Sequence, residues 1–430
     1  MKSLSRFGQQ SDGRIIFPNA KNLKKAGRII VVENDIVTGL PIGLSKEELA
    51  VGKTREMILQ SKHRHAGSNI MRSNHTRYEH ALGCLNIANL FFPTDSDRDR
   101  HIRMSSLIHD IGHPPYSHSF EAGMKFYLKL KDILPKAKYS LHEQWMMDIL
   151  RNTNSEVNKV LSINGYDIED LISIATGEIN SPFKGNRKDH ELSIDYLDSW
   201  LRDTFHGVER SLAIGVASSL QYEHKQILKE LNIVDRNDPS KLADFNSAPE
   251  SIIFKTKARI AKMIIDRQLI QHQLIYGKQG KAIEFSSVAL FFFCLKKGYL
   301  SLEDKTLSDD DLRKKINDAR KRDKTIDALA LYAFELLQNP HTDCYRVIPE
   351  NGVNNPNYQV RKTYECSVRI NANAEPIHKI IPRKKQKHYQ FKASNSLEQI
   401  RSISGKSVIE LIGLDKEVKA ELEEFKMLYD

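Results

Sequence analysis

Residues Leu107-Ile108-His109-Asp110-Ile111-Gly112-His113 place a histidine and an aspartate side by side at the end of an apolar run that a glycine stops. Burying a neutral imidazole next to a carboxylate is costly unless something pairs with both. A divalent metal is the natural partner, since the cation offsets the carboxylate's desolvation and takes the imidazole lone pair. In a chain with 16 histidines a lone His-Asp pair carries little weight, so the meaning lies in its company. His80 stands at the start of one expected helix, and Asp195 lies in a third element, Ser193 to Asp203. Taken singly, His80 reads as a surface helix start and Asp195 as a solvated charge.

The elements that must position these residues are helical. Leu82, Leu85, Ile87, Ala88, Leu90 and Phe91 recur at helical spacing, and Pro93 ends that helix. Arg103 to Ile111 is the next, followed by a rigid turn, Gly112-His113-Pro114-Pro115-Tyr116-Ser117-His118. Further helices are expected over 46–62, from His142 with Trp145, Met146, Ile149 and Leu150 on its apolar side, over 168–176 and over 192–205. Several amphipathic patterns follow between 251 and 338, one capped by Ser308-Asp309-Asp310-Asp311 ahead of Leu312. The chain divides into an irregular arm (1–45), a helical core (46–340) and a small mixed α/β C-terminal lobe (341–430). In that lobe Tyr364 to Ile370 and Ile377 to Ile381 are strand-like, and the last twenty residues form a charged helix. The fold class is mainly α.

Composition sets the bounds. A chain of 430 residues with 40% hydrophobic and 28% charged content can bury a sizeable core. The longest apolar run, Val288 to Leu295, ends at Lys296-Lys297 and has the length of a core helix, which excludes a membrane span. The polar N-terminus argues against secretion. Cys84, Cys294, Cys344 and Cys366 are far apart and form no CxxC pair, as expected of reduced cytoplasmic thiols. A net charge of +10 favours polyanionic partners without deciding which.

Three segments together resemble one family. Thr76-Arg77-Tyr78-Glu79-His80, the stretch His109 to His118, and Asp195 to Asp203 are similar to the HD-domain metal-dependent phosphohydrolases, specifically the deoxynucleoside triphosphate triphosphohydrolase branch. The similarity runs from about residue 30 to 345. It implies an HD-domain helical core and makes His80, His109, Asp110 and Asp195 the ligands of one divalent transition metal. Such a nitrogen and oxygen set suits Mn²⁺, Fe²⁺, Co²⁺, Ni²⁺ or Zn²⁺, with Mg²⁺ accompanying the nucleotide. It further implies that His113, His118, His142 and Glu143 are catalytic, His118 as the acid for the leaving 5′-oxygen. Arg77 would bind phosphate, and Asp203 with Gln60 the ribose 3′-hydroxyl. Arg267, His272 and Tyr276 would face phosphate and base. A homo-oligomer is implied as well.

The chain departs from the family in three places. Ser199 stands where an aromatic ring packs against the sugar, which removes bulk exclusion of a 2′-hydroxyl. Tyr196 replaces the lysine that often follows the last ligand and contacts phosphate. Leu49 to Lys62 lacks the segment used for nucleotide-dependent assembly. The leading reading is hydrolysis of (deoxy)nucleoside triphosphates to nucleoside and inorganic triphosphate. The alternatives are an HD-type nuclease or phosphodiesterase on single-stranded nucleic acid, favoured by the basic balance and Arg383-Lys384-Lys385, and a non-catalytic nucleotide sensor.

Overall fold

The computed structural model describes residues 19–25, 27–64, 75–135, 138–179, 182–184, 193–209, 215–229, 231–235, 250–254, 278–336, 344–349, 369–370 and 407–429. Over these residues the fold is mainly α. The first half carries α1 (Ala20–Lys25), α2 (Lys46–Gly52), α3 (Arg55–Gln60), α4 (Arg77–Phe91), α5 (Asp97–Ile108), α6 (His118–Leu130) and α7 (Leu141–Arg151). Then come α8 (Glu156–Ile163), α9 (Ile168–Thr176), α10 (Ile194–Glu209) and α11 (Gly215–Lys229). The second half carries α12 (Lys278–Lys296), α13 (Asp309–Arg320), α14 (Lys324–Leu331) and α15 (Lys416–Tyr429). Strands are short: β1 (Ile29–Val32) lies antiparallel to β2 (Ile42–Leu44), with Ile29 opposite Leu44. β3 (Leu231–Asp235) is antiparallel to β4 (Glu250–Phe254), and β6 (Arg369–Ile370) runs parallel beside β4. β5 (Tyr345–Pro349) pairs antiparallel with β7 (Ser407–Leu411).

Helix α4 is the axis of the first half. Thr76 caps it in a reciprocal pair: its hydroxyl accepts from the Glu79 amide, and its amide donates to the Glu79 carboxylate at 2.6 Å. Most of its residues are buried, including Arg77 and His80, so the helix is surrounded rather than merely laid on a surface. α5 packs on one side of it and α10 on the other. Gly83 permits the second contact, because a Cβ there would sit 2.0 Å from the Asp198 carboxylate of α10. In the second half the apolar run of α12 is wholly buried, with Phe291, Phe292 and Phe293 packed among α6, α14 and α15. No described helix is long and apolar enough to cross a membrane.

Several expectations are corrected in detail. The helix expected over 46–62 is two helices, α2 and α3, broken at Lys53-Thr54, where the Thr54 hydroxyl donates to the Val51 carbonyl at 2.7 Å and ends the first. The helix expected over 103–111 begins six residues earlier, capped by Ser96, and ends at Ile108. In the arm, the β-like run expected at Arg28–Val32 forms β1, paired with β2, and α1, which was not expected, precedes it. Ser251, where amphipathic helices were expected to begin, lies in strand β4. The C-terminal helix α15 is not set apart from the core: Val418, Leu422 and Phe425 share one apolar cluster with α12.

One charged cluster is buried between the arm and helices α2 and α5. Glu48 accepts from Arg28 at 2.5 Å and from Arg103 at 3.1 Å, and all three side chains are almost fully buried. Arg103 also donates to the carbonyls of Phe92 and Thr94, and Arg28 to Asn89. The arm, α2, α4 and α5 are thereby tied at one point.

Candidate metal centre

Four side chains from three elements converge beneath the end of α5. His80 comes from the first turn of α4, His109 and Asp110 follow the end of α5, and Asp195 opens α10. The Nε2 atoms of His80 and His109 are 3.3 Å apart. Asp195 Oδ1 lies 3.1 Å from His80 Nε2 and 3.6 Å from His109 Nε2. Asp110 lies 3.3 Å from His109 Nε2 and 3.9 Å from His80 Nε2. Each imidazole is held by its other nitrogen: His80 Nδ1 donates to Asp198 at 2.7 Å, and His109 Nδ1 donates to the Ser106 carbonyl at 3.0 Å. Those acceptors set the tautomers, so both Nε2 atoms face one point between two carboxylates. The donor set fits a divalent transition metal.

The electrostatics agree. Burial opposes charge on His80, but Cys84, Asp195 and Asp198 more than offset it and hold its pKa well above the usual value. Burial likewise opposes the Asp110 carboxylate, and His109, Arg77 and His113 hold it well below the usual range. The Cys84 sulfur is 3.7 Å from His80 Nε2, and burial pushes its thiol up to about 12; its sulfur and ligand atoms of His80, His109 and Asp195 all lie within 4.8 Å of one another.

Behind His80 a buried chain runs Asp198–Arg202–Asp35. Arg202 forks onto both oxygens of Asp198, each at 3.0 Å, and lies 3.5 Å from Asp35. An outer partner of this kind orients the ligand and raises its basicity. Asp198→Asn is expected to weaken metal binding about 10–100-fold, read by metal titration with the folded state checked by circular dichroism.

The turn after the ligand pair is held in an unusual shape. Tyr116 and Ser117 both have positive φ, 54° and 51°, a region costly for non-glycine residues. The Ser117 hydroxyl accepts from Arg77 Nε at 2.9 Å and donates to the Arg64 carbonyl at 2.9 Å. Asp309 reaches from α13 to accept the Tyr116 amide at 2.9 Å and the Arg64 amide at 3.1 Å, and burial raises its pKa to about 6. Gln60 donates to the Ile111 carbonyl at 3.0 Å from beneath. Gly112 lets α7 close on this turn, since a Cβ there would lie 2.1 Å from the His142 carbonyl.

That closure builds a second cluster. The donor atoms of His113, His118, Glu121 and His142 all lie within 4.8 Å of one another. Glu121 accepts from His118 Nδ1 at 3.2 Å and from His142 Nδ1 at 2.9 Å. The His113 and His142 rings stack at 4.0 Å, and His113 Nε2 is 3.3 Å from Asp110, which links the two clusters. Burial, Arg77 and His142 hold the His113 pKa well below the usual value, so it is neutral at working pH.

The other expected residues fall as follows. Arg77 Nη1 donates to Asp110 at 2.7 Å. Glu143 gives one oxygen to capping α7, accepting from the Ser140 amide at 3.0 Å. Asp203 sits eight residues along α10 from Asp195, about 12 Å further down the helix axis. Arg267, His272 and Tyr276 lie outside the described residues. Reasoning from sequence missed Glu121, Asp198, Arg202, Asp309 and Lys184. Glu121 carried a local signal, a His-x-x-Glu spacing on one helix face, and so did Asp198 and Arg202, an acid and a base four residues apart on α10.

Where α4, α5 and α10 meet, His80, His109 and Asp195, with Cys84, form a group that could hold a metal ion, and Asp110 lies beside them. Residues 77–199 match the HD domain family, so the chain contains an HD domain, and its segment holds all four ligand candidates. An HD domain with this cluster supports a metal-dependent hydrolase. An uncharacterized protein of Mycoplasma pneumoniae is 27% identical over 173 residues, covering 37% of this chain and 36% of that one. One from Methanocaldococcus jannaschii is 47% identical over 49 residues, 11% of each chain. The chain thus matches less than half the length of these curated relatives. The crystal structure of a hypothetical protein from Aquifex aeolicus superposes with a TM-score of 0.54 at 15% identity, covering 92% of this chain and 100% of that one, a likeness of fold. A phosphohydrolase from Bacteroides thetaiotaomicron aligns over 74% of this chain and 79% of its own, with a TM-score of 0.48 and 18% identity.

Proposed function

We propose that the chain hydrolyses (deoxy)nucleoside triphosphates at the α-phosphate, releasing nucleoside and inorganic triphosphate. Metal-dependent phosphohydrolysis is the broader reading that the HD domain and its centre support. The observation that carries the phosphate is Arg77. Its Nε and Nη1 are engaged, while Nη2 is buried with no hydrogen-bond partner among the described residues, beside the His–Asp centre. A buried guanidinium N–H left unpaired is expensive, and an anionic oxygen satisfies it best.

His80, His109, Asp110 and Asp195 would hold the metal, which when bound supplies positive charge to the phosphate and acidity to a water molecule. Arg77 orients the phosphate through Nη2. His118 keeps its Nδ1 proton on Glu121, which turns Nε2 toward the leaving group. Water attacks phosphorus and releases a proton to solvent, the P–O5′ bond breaks, and His118, entering this step as the imidazolium against the lowering of its pKa by burial, passes its Nε2 proton to the 5′-oxygen and is left neutral. His113, neutral and stacked on His142, lines the same face. Ser199 is half-buried and cannot exclude a 2′-hydroxyl by bulk, so ribose and deoxyribose substrates are both included.

Metal-loaded protein incubated with each of the eight nucleoside triphosphates is expected to release inorganic triphosphate, and His109→Ala to release none. Turnover undiminished in that variant would end this reading. Cleavage of a labelled oligonucleotide instead would favour the nuclease. Assembly into a homo-oligomer is part of the same proposal, and light scattering with and without nucleotide tests it.

A further inference from the structure

The segment Pro182-Phe183-Lys184 lies against the start of α10. The Ile194 amide donates to the Pro182 carbonyl at 3.0 Å and the Asp195 amide to the Phe183 carbonyl at 3.2 Å. The Phe183 ring is fully buried with its centroid 5.0 Å from that of His109. This anchoring delivers the Lys184 ammonium to 2.7 Å from Asp195 Oδ2, with its side chain only 18% exposed. Asp195 Oδ1 faces the two histidines, so the lysine takes the outer oxygen and leaves the inner one to the centre. Arg77 pairs with the other carboxylate at Asp110 Oδ2, which also lies 3.9 Å from His80 Nε2, while Oδ1 faces His109.

Each carboxylate of the centre thus carries a fixed cation, Lys184 on Asp195 and Arg77 on Asp110. Burial opposes the Lys184 ammonium, and Asp195, Asp110 and Glu143 more than offset it. A divalent ion held by these residues would add positive charge at a buried place, and a partly desolvated positive site calls for an anion. Tyr196, the neighbour of Asp195, is 39% exposed and offers no cation here.

We propose that Lys184 is a phosphate-binding residue, gripping a phosphate oxygen from beside Asp195 as Arg77 does from beside Asp110. This rests on the phosphohydrolase reading above. The lysine remains within reach of Asp195 while its other two N–H donors turn to the incoming oxygens. A residue that merely oriented Asp195 would affect the metal first; a phosphate grip affects the anion and leaves the metal in place.

The test uses the full chain loaded with Co²⁺, whose visible spectrum reports both metal binding and anion entry, titrated with inorganic phosphate. Wild type is expected to bind phosphate. Lys184→Met should keep its Co²⁺ affinity and bind phosphate about tenfold or more weakly, the loss of one charge-assisted contact. Lys184→Arg should recover most of that. In turnover, Lys184→Met should raise KM by more than it lowers kcat. Unchanged phosphate binding in Lys184→Met, or loss of Co²⁺ with no separate effect on phosphate, overturns the role of Lys184 alone. Failure of wild type to bind phosphate overturns the phosphohydrolase reading and the lysine's role together.

Discussion

Asp110→Ala is expected to abolish divalent-metal binding and reduce hydrolysis to background, well beyond the ~10–100-fold that follows loss of an outer partner. The size follows from how much hangs on this carboxylate. It lies within 3.3 Å of both His109 and His113, and it is the anion that pairs with buried Arg77 at 2.7 Å. Alanine removes a ligand and also leaves a guanidinium without its counter-charge, so stability should fall by roughly 3–5 kcal/mol. Asp110→Asn separates the two effects: the side chain keeps its shape, so stability recovers in part while metal binding stays lost. Metal content after dialysis and denaturant unfolding measure the pair. A full metal complement in Asp110→Ala would exclude the four-ligand centre.

Glu48→Ala carries the largest expected effect on the fold. It strands two buried guanidiniums, Arg28 and Arg103, and should cost about 3–5 kcal/mol in chemical denaturation. Replacing the trio together by Leu, Met and Met should recover much of this, because breaking a buried ion cluster costs more than replacing it with well-packed apolar groups. The pH dependence has a definite sign. Burial opposes the Glu48 carboxylate, but Arg28 and Arg103 hold its pKa below the ordinary 4.5. The folded state therefore binds fewer protons there than the unfolded state. Its stabilisation is complete above about pH 4.5 and is lost as pH falls through the lower folded value. An acid-unfolding midpoint unchanged in Glu48→Gln would contradict this.

The legible part of the site lay in short-range pattern. His109 and Asp110 announce themselves by ending an apolar run, and the structure brings His80 and Asp195 to them. What sequence could not supply is what depends on pairing between distant segments. Lys184 reaches Asp195 only because residues 182–184 hydrogen-bond to the start of α10, and no local periodicity encodes that. Two other signals pointed elsewhere. Ser140-x-x-Glu143 is a capping box as well as a neighbour of His142, and the structure uses one Glu143 oxygen for the cap. Asp309 reads as part of a helix start, and Ser308 does cap α13, but the Asp309 carboxylate leaves the helix for the turn at Tyr116. The helices at α2–α3, α4, α5, α7, α9 and α10 were legible, whereas α1, α6 and α8 were not expected; the break at Lys53-Thr54 and the early start of α5 were not legible either, because caps and not apolar periodicity decide them.

The Asp309 contact also orders events in time. Tyr116 and the carboxylate that holds it are 193 residues apart along the chain. During synthesis the ligand pair, the strained turn and both histidine-bearing helices emerge long before their clamp. Contacts of such separation form late, after the loop between them has closed. The nascent first half can therefore gather its histidines and aspartates while the turn at Tyr116 still lacks its hold, and the cluster is finished only when α13 docks.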